Sequence, residues 1–91
     1  MDLDELKAYL DKEVVLDTGT SYMYLGVLKE LGEYFVTLTD VDVHDCRDST
    51  STKEIYLLEA KKFGIRKNRS VVKVRLGQVV SLSLLEDIIP Y

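Results

Sequence analysis

The sequence predicts a mainly β protein: a small, strongly bent antiparallel barrel of five strands with two helices. Two observations support this prediction. Short runs rich in β-branched and aromatic residues alternate with turn residues along most of the chain, as is typical of small all-β domains. Gly26 lies inside one of these runs, and a residue without a Cβ allows a strand to bend sharply. We expect one domain over residues 1–91.

The first predicted element is a short helix at the start of the chain. Asp2 can cap it, and leucines recur at helical spacing as far as Leu10. We expect this helix to end near Asp11 or Lys12.

Three strands are predicted next. The first covers Glu13 to Asp17, and the turn Thr18-Gly19-Thr20 separates it from a second strand over Ser21 to Leu31. Neither face of the second strand is plainly polar, so we expect both faces to be covered. Gly32-Glu33 has the form of a tight two-residue primed hairpin turn, followed by a third strand from Tyr34 to about Val43.

A helix is predicted between the third and fourth strands. Residues 44–50 have no apolar period and are expected to form a loop. Ser51 and Glu54 then have the spacing of a capping box, which predicts the start of a helix. The helix should end at about Phe63, with Gly64 in the left-handed position beyond it.

The end of the sequence predicts two more strands. Ser70 to Leu76 forms the fourth strand, Gly77-Gln78 a turn, and Val79 to Ser83 the fifth strand. A closing segment follows over Leu84 to Tyr91.

Charge is unevenly distributed along the chain. Twelve basic and sixteen acidic side chains give a net charge of -4, which argues against a protein that coats nucleic acid or an anionic membrane. Residues 61–75, however, contain seven basic residues and no acidic ones. Lys61 and Lys62 are explained by the end of a predicted helix, whereas Arg66, Lys67 and Arg69 favour an acidic partner, either nucleic acid or the acidic face of a second copy. The members of this basic segment are Lys61, Lys62, Arg66, Lys67, Arg69, Lys73 and Arg75.

Cysteine usage and hydropathy indicate the compartment. Cys46 is the one cysteine and cannot form an internal disulfide. The sequence shows no charged-then-apolar leader and no apolar run of membrane length. We therefore expect a cytoplasmic protein that binds no membrane and needs no cofactor.

Two segments resemble the sequence motifs of the Sm-like family. Gly26-Val27-Leu28 followed by residues 31–38 resembles the first Sm motif, closest in spacing to the bacterial host-factor branch. Arg75-Leu76-Gly77-Gln78-Val79-Val80 resembles the second motif. The order of predicted elements is also similar to that of an Sm-like (SH3-like) barrel with an elaborated connection between its third and fourth strands.

The resemblance implies a homo-oligomeric ring, in which the fourth strand of one copy pairs with the fifth strand of the next. It further implies a non-enzymatic protein that binds single-stranded RNA at loops lining the pore. Tyr34 stands where the host-factor branch has a base-stacking aromatic, and Arg75 and Gln78 stand in the other pore loop. Gly32 stands where the family usually has an Asp. The complete set of expected RNA-binding residues is Tyr34, Lys73, Arg75, Gln78, Arg66, Lys67 and Arg69.

Structural interpretations of these residues stay open. Tyr34 can instead cover the end of the barrel, as aromatic residues often do in small sheets. Lys73 and Arg75 alternate with valines and can form an ordinary solvated face. The alternative function is an assembly or adaptor module that binds protein through the same surfaces and binds no nucleic acid.

Two further groups of residues have the side-chain types found in metal sites and in catalytic sites. Asp40, Asp42 and His44 fall on one face if the third strand extends that far, and oxygen ligands with one imidazole can hold a divalent cation. Carboxylates at a strand end more often serve solubility and edge protection, so we predict no metal site. Cys46 near His44 has the residue types of a nucleophile and base, but no motif supplies a third orienting group, so we predict no catalytic residues.

Overall fold

The computed structural model describes residues 2–48 and 52–90. The elements follow the predicted order of helix, three strands, helix and two strands. In chain order they are α1 (Leu3–Leu6), β1 (Glu13–Asp17), β2 (Tyr22–Leu31), β3 (Phe35–Asp45), α2 (Lys53–Phe63), β4 (Arg69–Arg75) and β5 (Ser81–Leu84). Short 3₁₀ helices cover Lys7–Tyr9, Cys46–Asp48, Leu76–Gln78 and Leu85–Asp87. None of the helices in these two ranges is long and apolar enough to span a membrane.

The five strands form one sheet in the order β4-β3-β2-β1-β5, and every neighbouring pair is antiparallel. β4 and β5 are therefore the two edges of the sheet. All five strands contribute side chains to a single apolar cluster on one face. The pairing of β2 with β3 shifts register at two places, between Leu25 and Val27 and between Leu28 and Glu30, and such irregularities bend a strand. The sheet is thus bent, as predicted.

One register shift lies at Gly26. Between the pairs Leu25–Asp42 and Val27–Thr39, two residues of β3, Asp40 and Val41, lie opposite Gly26 alone. The φ of Asp40 is +52°. A Cβ on Gly26 would lie 3.0 Å from the carbonyl oxygen of Thr39. This approach is tighter than most Cβ contacts, so a side chain here would require β3 to shift, which favours glycine at this position.

Both faces of the sheet are covered, as the pattern of β2 predicted. α1 packs on the face where Val14 and Leu16 point, and α2 packs on the opposite face with Val15. The first cluster contains Leu6, Val14, Leu16, Leu28, Val36, Leu38, Val41, Val74 and Val79. The second contains Val15, Met23, Leu25, Leu57, Ala60 and Leu85.

The N-terminal helix is shorter than predicted. Asp2 caps α1, since its Oδ1 accepts from the backbone N–H of Asp4 at 2.9 Å. α1 then ends at Leu6 and a 3₁₀ turn takes over. Asp11 has a positive φ of 64°, so the helix cannot continue to Asp11 or Lys12.

The connection between β2 and β3 is not the predicted two-residue primed turn. It comprises the three residues Gly32–Tyr34, and a primed turn needs a positive φ that Gly32 does not have. Gly32 is instead required by space, because a Cβ there would lie 2.8 Å from the carbonyl oxygen of Phe35. Tyr34 consequently lies in the connection, and β3 begins at Phe35.

The predicted loop at 44–50 is partly wrong. β3 extends to Asp45, because Tyr22 and Met23 of β2 supply pairing partners for Asp45 and His44. A 3₁₀ helix follows, and residues 49–51, including the predicted cap Ser51, lie outside the described residues. The cap observed for α2 is Thr52, whose Oγ1 accepts from the N–H of Ile55 at 3.2 Å.

The remaining boundaries agree closely. α2 ends at Phe63 and Gly64 has a φ of 95°, as expected for the residue after a helix. β4 is displaced by one residue from its predicted span. β5 begins at Ser81 rather than Val79, because the N–H of Val79 still donates to the carbonyl of Leu76 and closes the preceding turn.

Candidate nucleic-acid interface

The structure separates the predicted RNA-binding residues into two groups at opposite ends of β4. β4 runs from Arg69 to Arg75, and at about 3.3 Å per residue these ends are about 20 Å apart. The basic segment therefore does not form one continuous surface. Tyr34, Arg75 and Gln78 lie at one end with Lys73 nearby, and Arg66, Lys67 and Arg69 lie at the other.

The first group lies on and beside two neighbouring loops, which we call the paired loops: the connection Gly32–Tyr34 and the 3₁₀ helix Leu76–Gln78. Lys73 and Arg75 lie on β4, which ends directly before the second loop. The backbone N–H of Leu76 donates to the carbonyl of Tyr34 at 2.8 Å, and Phe35 pairs with Arg75 in the sheet. Backbone bonds thus hold together two loops that are far apart in sequence. Tyr34 is 65% exposed, so its ring does not cover the end of the sheet within this chain.

The side chains of the first group differ in whether they have hydrogen-bond partners. Arg75 and Gln78 are exposed and have no side-chain hydrogen bond or ion pair within residues 2–48 and 52–90. Lys73 is less free, because its Nζ donates to Thr37 Oγ1 at 3.2 Å across the sheet. Phe35, which sequence reasoning did not single out, is a second exposed aromatic beside Tyr34. The sequence does hold a signal for this exposure, because Tyr34 and Phe35 are adjacent. Neighbouring residues of a strand point to opposite faces, so both rings cannot be buried in one core.

In the second group, two of the three cations have partners. Lys67 Nζ lies 3.5 Å from Asp40 Oδ1, and Arg69 Nη1 donates to the carbonyl of Asn68 at 2.9 Å. Arg66 is exposed and pairs with no other side chain in the described part of the protein. It is therefore the cation of this group that is available to a ligand.

Arg66 lines a cleft of about 390 Å³ between α2 and the distal half of β3. Sequence reasoning placed Asp42 and His44 on one face, and both line this cleft, but it missed Tyr56 and Asn68. The Tyr56 hydroxyl donates to Asp42 Oδ2, and Asn68 Nδ2 donates to Asp42 Oδ1 at 3.1 Å. No local signal connects these positions, because the inserted helix brings them together.

Burial, followed by the hydrogen bond to the Asp42 carboxylate, raises the pKa of Tyr56 far above its usual value. The phenol therefore stays protonated and donating at physiological pH. The ring of Tyr56 also stacks on the His44 imidazole, with centroids 3.8 Å apart and planes 9° from parallel. His44 Nε2 is buried, and no partner for it exists among the described residues.

Neither the grouping around Asp40 nor Cys46 has the surroundings expected of a metal site or of a nucleophile. Asp40 pairs with Lys67 on the surface, and the described ranges contain no group of three or more His, Cys, Asp or Glu side chains placed to hold a metal. Burial raises the pKa of the Cys46 thiol. A nucleophilic cysteine needs the opposite shift.

Comparison with solved structures finds a similar fold. The chain matches the Sm protein of Pyrococcus abyssii, determined in complex with a uridine heptamer, with a TM-score of 0.61 and 19% sequence identity. The match covers 92% of this chain and 97% of that protein. No family sequence model matches the chain, and no curated protein matches it in sequence. The five-stranded antiparallel sheet with its short N-terminal helix and its helix between β3 and β4 is therefore an Sm-like fold.

Proposed function

We propose that this chain is a non-enzymatic, cytoplasmic RNA-binding protein that works as a homo-oligomeric ring of single Sm-like domains. Each copy would contact single-stranded RNA through its paired loops. The placement closest to the host-factor branch rests on the spacing of the first sequence motif alone. The uridine heptamer bound by the structurally similar Pyrococcus abyssii protein supports single-stranded RNA as the ligand.

One observation carries the proposal: Tyr34 and Arg75, which are far apart in sequence, lie on segments that the backbone holds together as neighbours. The Leu76-to-Tyr34 backbone bond of 2.8 Å joins the paired loops, and Arg75 at the end of β4 pairs with Phe35. The side chains of Tyr34 and Arg75 are both exposed, so they need not move to meet a ligand.

These residue types suit single-stranded nucleic acid. An exposed aromatic face stacks on any base, which contributes about 1–3 kcal/mol per base. An arginine binds phosphate bidentately. One copy would bind weakly, but several identical copies around a pore raise the effective concentration of each later contact.

The edges of the sheet support ring formation. β4 and β5 end the strand order, and Val71 on β4 and Val80 just before β5 are exposed. Unpaired edges with exposed valines invite pairing with another chain. If the β4 edge of one copy pairs with the β5 edge of the next, a closed ring covers both edges in every copy.

The test is binding of a fluorescently labelled single-stranded oligouridine, measured by anisotropy over a salt series. We expect affinity to fall as salt rises and to fall strongly in Tyr34→Ala, which lies outside the strands and leaves both sheet edges intact. The double variant Lys73→Glu and Arg75→Glu should abolish binding while sedimentation still reports the oligomer.

The matched control is the double variant Lys7→Glu and Lys12→Glu, which changes the net charge equally but lies at the N-terminal end of the chain. It should retain most of the affinity. Unchanged RNA binding in Tyr34→Ala and in the Lys73, Arg75 variant would refute the paired loops as the site. Absence of RNA binding by the wild-type oligomer would instead favour the adaptor function, for which exposed Phe35 and Val80 offer apolar contacts.

A further inference from the structure

A second candidate site lies in the cleft between α2 and β3, at the end of β4 opposite to the paired loops. The face of α2 that carries Tyr56, Glu59 and Phe63 forms one wall, and His44 lies on the other. The volume of about 390 Å³ is at the lower end of the range for small-ligand pockets, about 300–1,000 Å³. The cleft therefore has room for a ligand of nucleotide size.

The floor of the cleft is rigid before any ligand arrives. Asp42 is only 8% exposed, and both of its carboxylate oxygens accept hydrogen bonds, from Tyr56 and Asn68. The Asn68 side chain is itself fixed, since its Oδ1 accepts from the N–H of Val43 at 3.0 Å and its Nδ2 donates to the Val43 carbonyl at 3.1 Å. These polar groups therefore use their hydrogen-bonding capacity on one another.

One polar atom of the side chains around the cleft has no hydrogen-bond partner. Stacking on Tyr56 fixes the His44 ring, and its buried Nε2 has no hydrogen-bond partner in the described part of the chain. A buried polar atom without a partner is unusual, and since the His44 ring lines the cleft, the imidazole is placed to report on what the cleft binds.

The rim supplies an aromatic face and a free cation. Phe63 is 72% exposed, and Lys62 Nζ lies 5.3 Å from the centroid of its ring. Arg66 and Glu59 also line the cleft and are exposed, and neither makes an ion pair elsewhere in residues 2–48 and 52–90. An exposed ring flanked by cations is suited to a planar, anionic molecule.

We propose that the cleft binds one nucleotide unit, either a free nucleoside monophosphate or a single residue of an RNA strand. Its base stacks on Phe63, with exocyclic amino groups donating to Glu59, and lies beside the His44 ring that lines the cleft. Its phosphate lies at Arg66. This site is separate from the paired loops and does not depend on the proposed function.

The chain contains one histidine, so its imidazole NMR signals report directly on this cleft. We expect AMP or CMP at millimolar concentrations to shift the His44 signals saturably, whereas inorganic phosphate alone leaves them in place. Phe63→Ala and Arg66→Gln alter exposed side chains and should each weaken this response by about five-fold or more. Lys12→Gln, which removes one exposed charge elsewhere, is the matched control and should titrate like wild type.

Two arms distinguish the sources of the nucleotide. A response to free AMP or CMP indicates a small-molecule site, and a response only to a short oligonucleotide indicates an RNA strand. Both arms are repeated in Tyr34→Ala, where loss of high-affinity RNA binding with an unchanged His44 titration separates this site from the paired loops.

Three results would overturn the proposal. The first is that the His44 signals stay fixed under every nucleotide. The second is that inorganic phosphate reproduces the whole shift, which would make the cleft a simple anion site. The third is that an acidic peptide shifts the signals at lower concentration than AMP, which would make the cleft a protein-docking site.

Discussion

Replacing Gly26 with alanine tests whether the bend in β2 depends on the missing side chain. A Cβ at this position would lie 3.0 Å from the Thr39 carbonyl oxygen and 3.1 Å from Val41 Cγ2, with Leu38 Cβ at 3.4 Å. The φ of Gly26 is not positive, so alanine meets no backbone strain there. The substitution therefore perturbs space alone.

The neighbours of the added methyl group have little freedom to move. Val41 and Leu38 are completely buried, and the Thr39 carbonyl belongs to the backbone of β3 at the register shift. Adding a methyl group to such a packed core costs about 1–3 kcal/mol of unfolding free energy. In a domain of this size each kcal/mol lowers the melting temperature by about 4–8 °C.

The assay is thermal unfolding followed by circular dichroism, at one fixed protein concentration because self-association raises apparent stability. Gly77→Ala is the control, since a Cβ there meets nothing within 4 Å and the φ of Gly77 is not positive. We expect the control to melt at or slightly above the wild-type temperature. If Gly26→Ala melts as late as Gly77→Ala, the close approach to β3 is not what requires glycine.

Three further predictions concern the paired loops and the cleft. Gly32→Ala should weaken oligouridine binding, because its Cβ would lie 2.8 Å from the Phe35 carbonyl oxygen and displace Tyr34; equal affinity in an anisotropy titration would contradict this. Asn68→Ala removes the hydrogen bonds that the Asn68 side chain makes to Asp42 and to the Val43 backbone, and it should lower the free energy of unfolding in urea by about 1–3 kcal/mol. An unchanged urea midpoint would show that these hydrogen bonds do not stabilise the fold. The pKa of Tyr56 is raised in the folded state, so its contribution to the free energy of unfolding is complete below about pH 10 and is lost as the pH rises further. Tyr56→Phe should therefore lose less stability above pH 10 than wild type, and identical curves of stability against pH would refute this.

Local patterns predicted the elements whose ends are set by nearby residues. β1 was predicted with its observed bounds, and the end of α2 at Phe63 agrees because Gly64 stops the helix. The bend at Gly26 was also predictable, since a glycine within an apolar strand has few other uses. The same local patterns predicted the order of the elements, which is similar to that of an Sm-like barrel and which the structure confirms.

Contacts between distant segments could not be predicted in the same way. β3 extends through His44 because the start of β2 pairs with it, although residues 44–50 look like a loop by composition. The stacking of His44 on Tyr56 depends on how α2 folds back over the sheet. The candidate cleft was therefore beyond sequence reasoning, whereas the paired loops were within it because the resemblance named both segments.

The separation of the two groups of cations determines how they can act together. About 20 Å lies between the ends of β4, which is twice the Debye length of about 10 Å at 0.1 M salt. At that ionic strength Arg66 and Arg75 do not reinforce one another through space, so each end must attract phosphate on its own. The double variant Lys73→Glu and Arg75→Glu should therefore abolish RNA binding without changing the His44 response to a free nucleotide. In 0.01 M salt the Debye length of about 30 Å exceeds the separation, and there the same variant should weaken the His44 response as well.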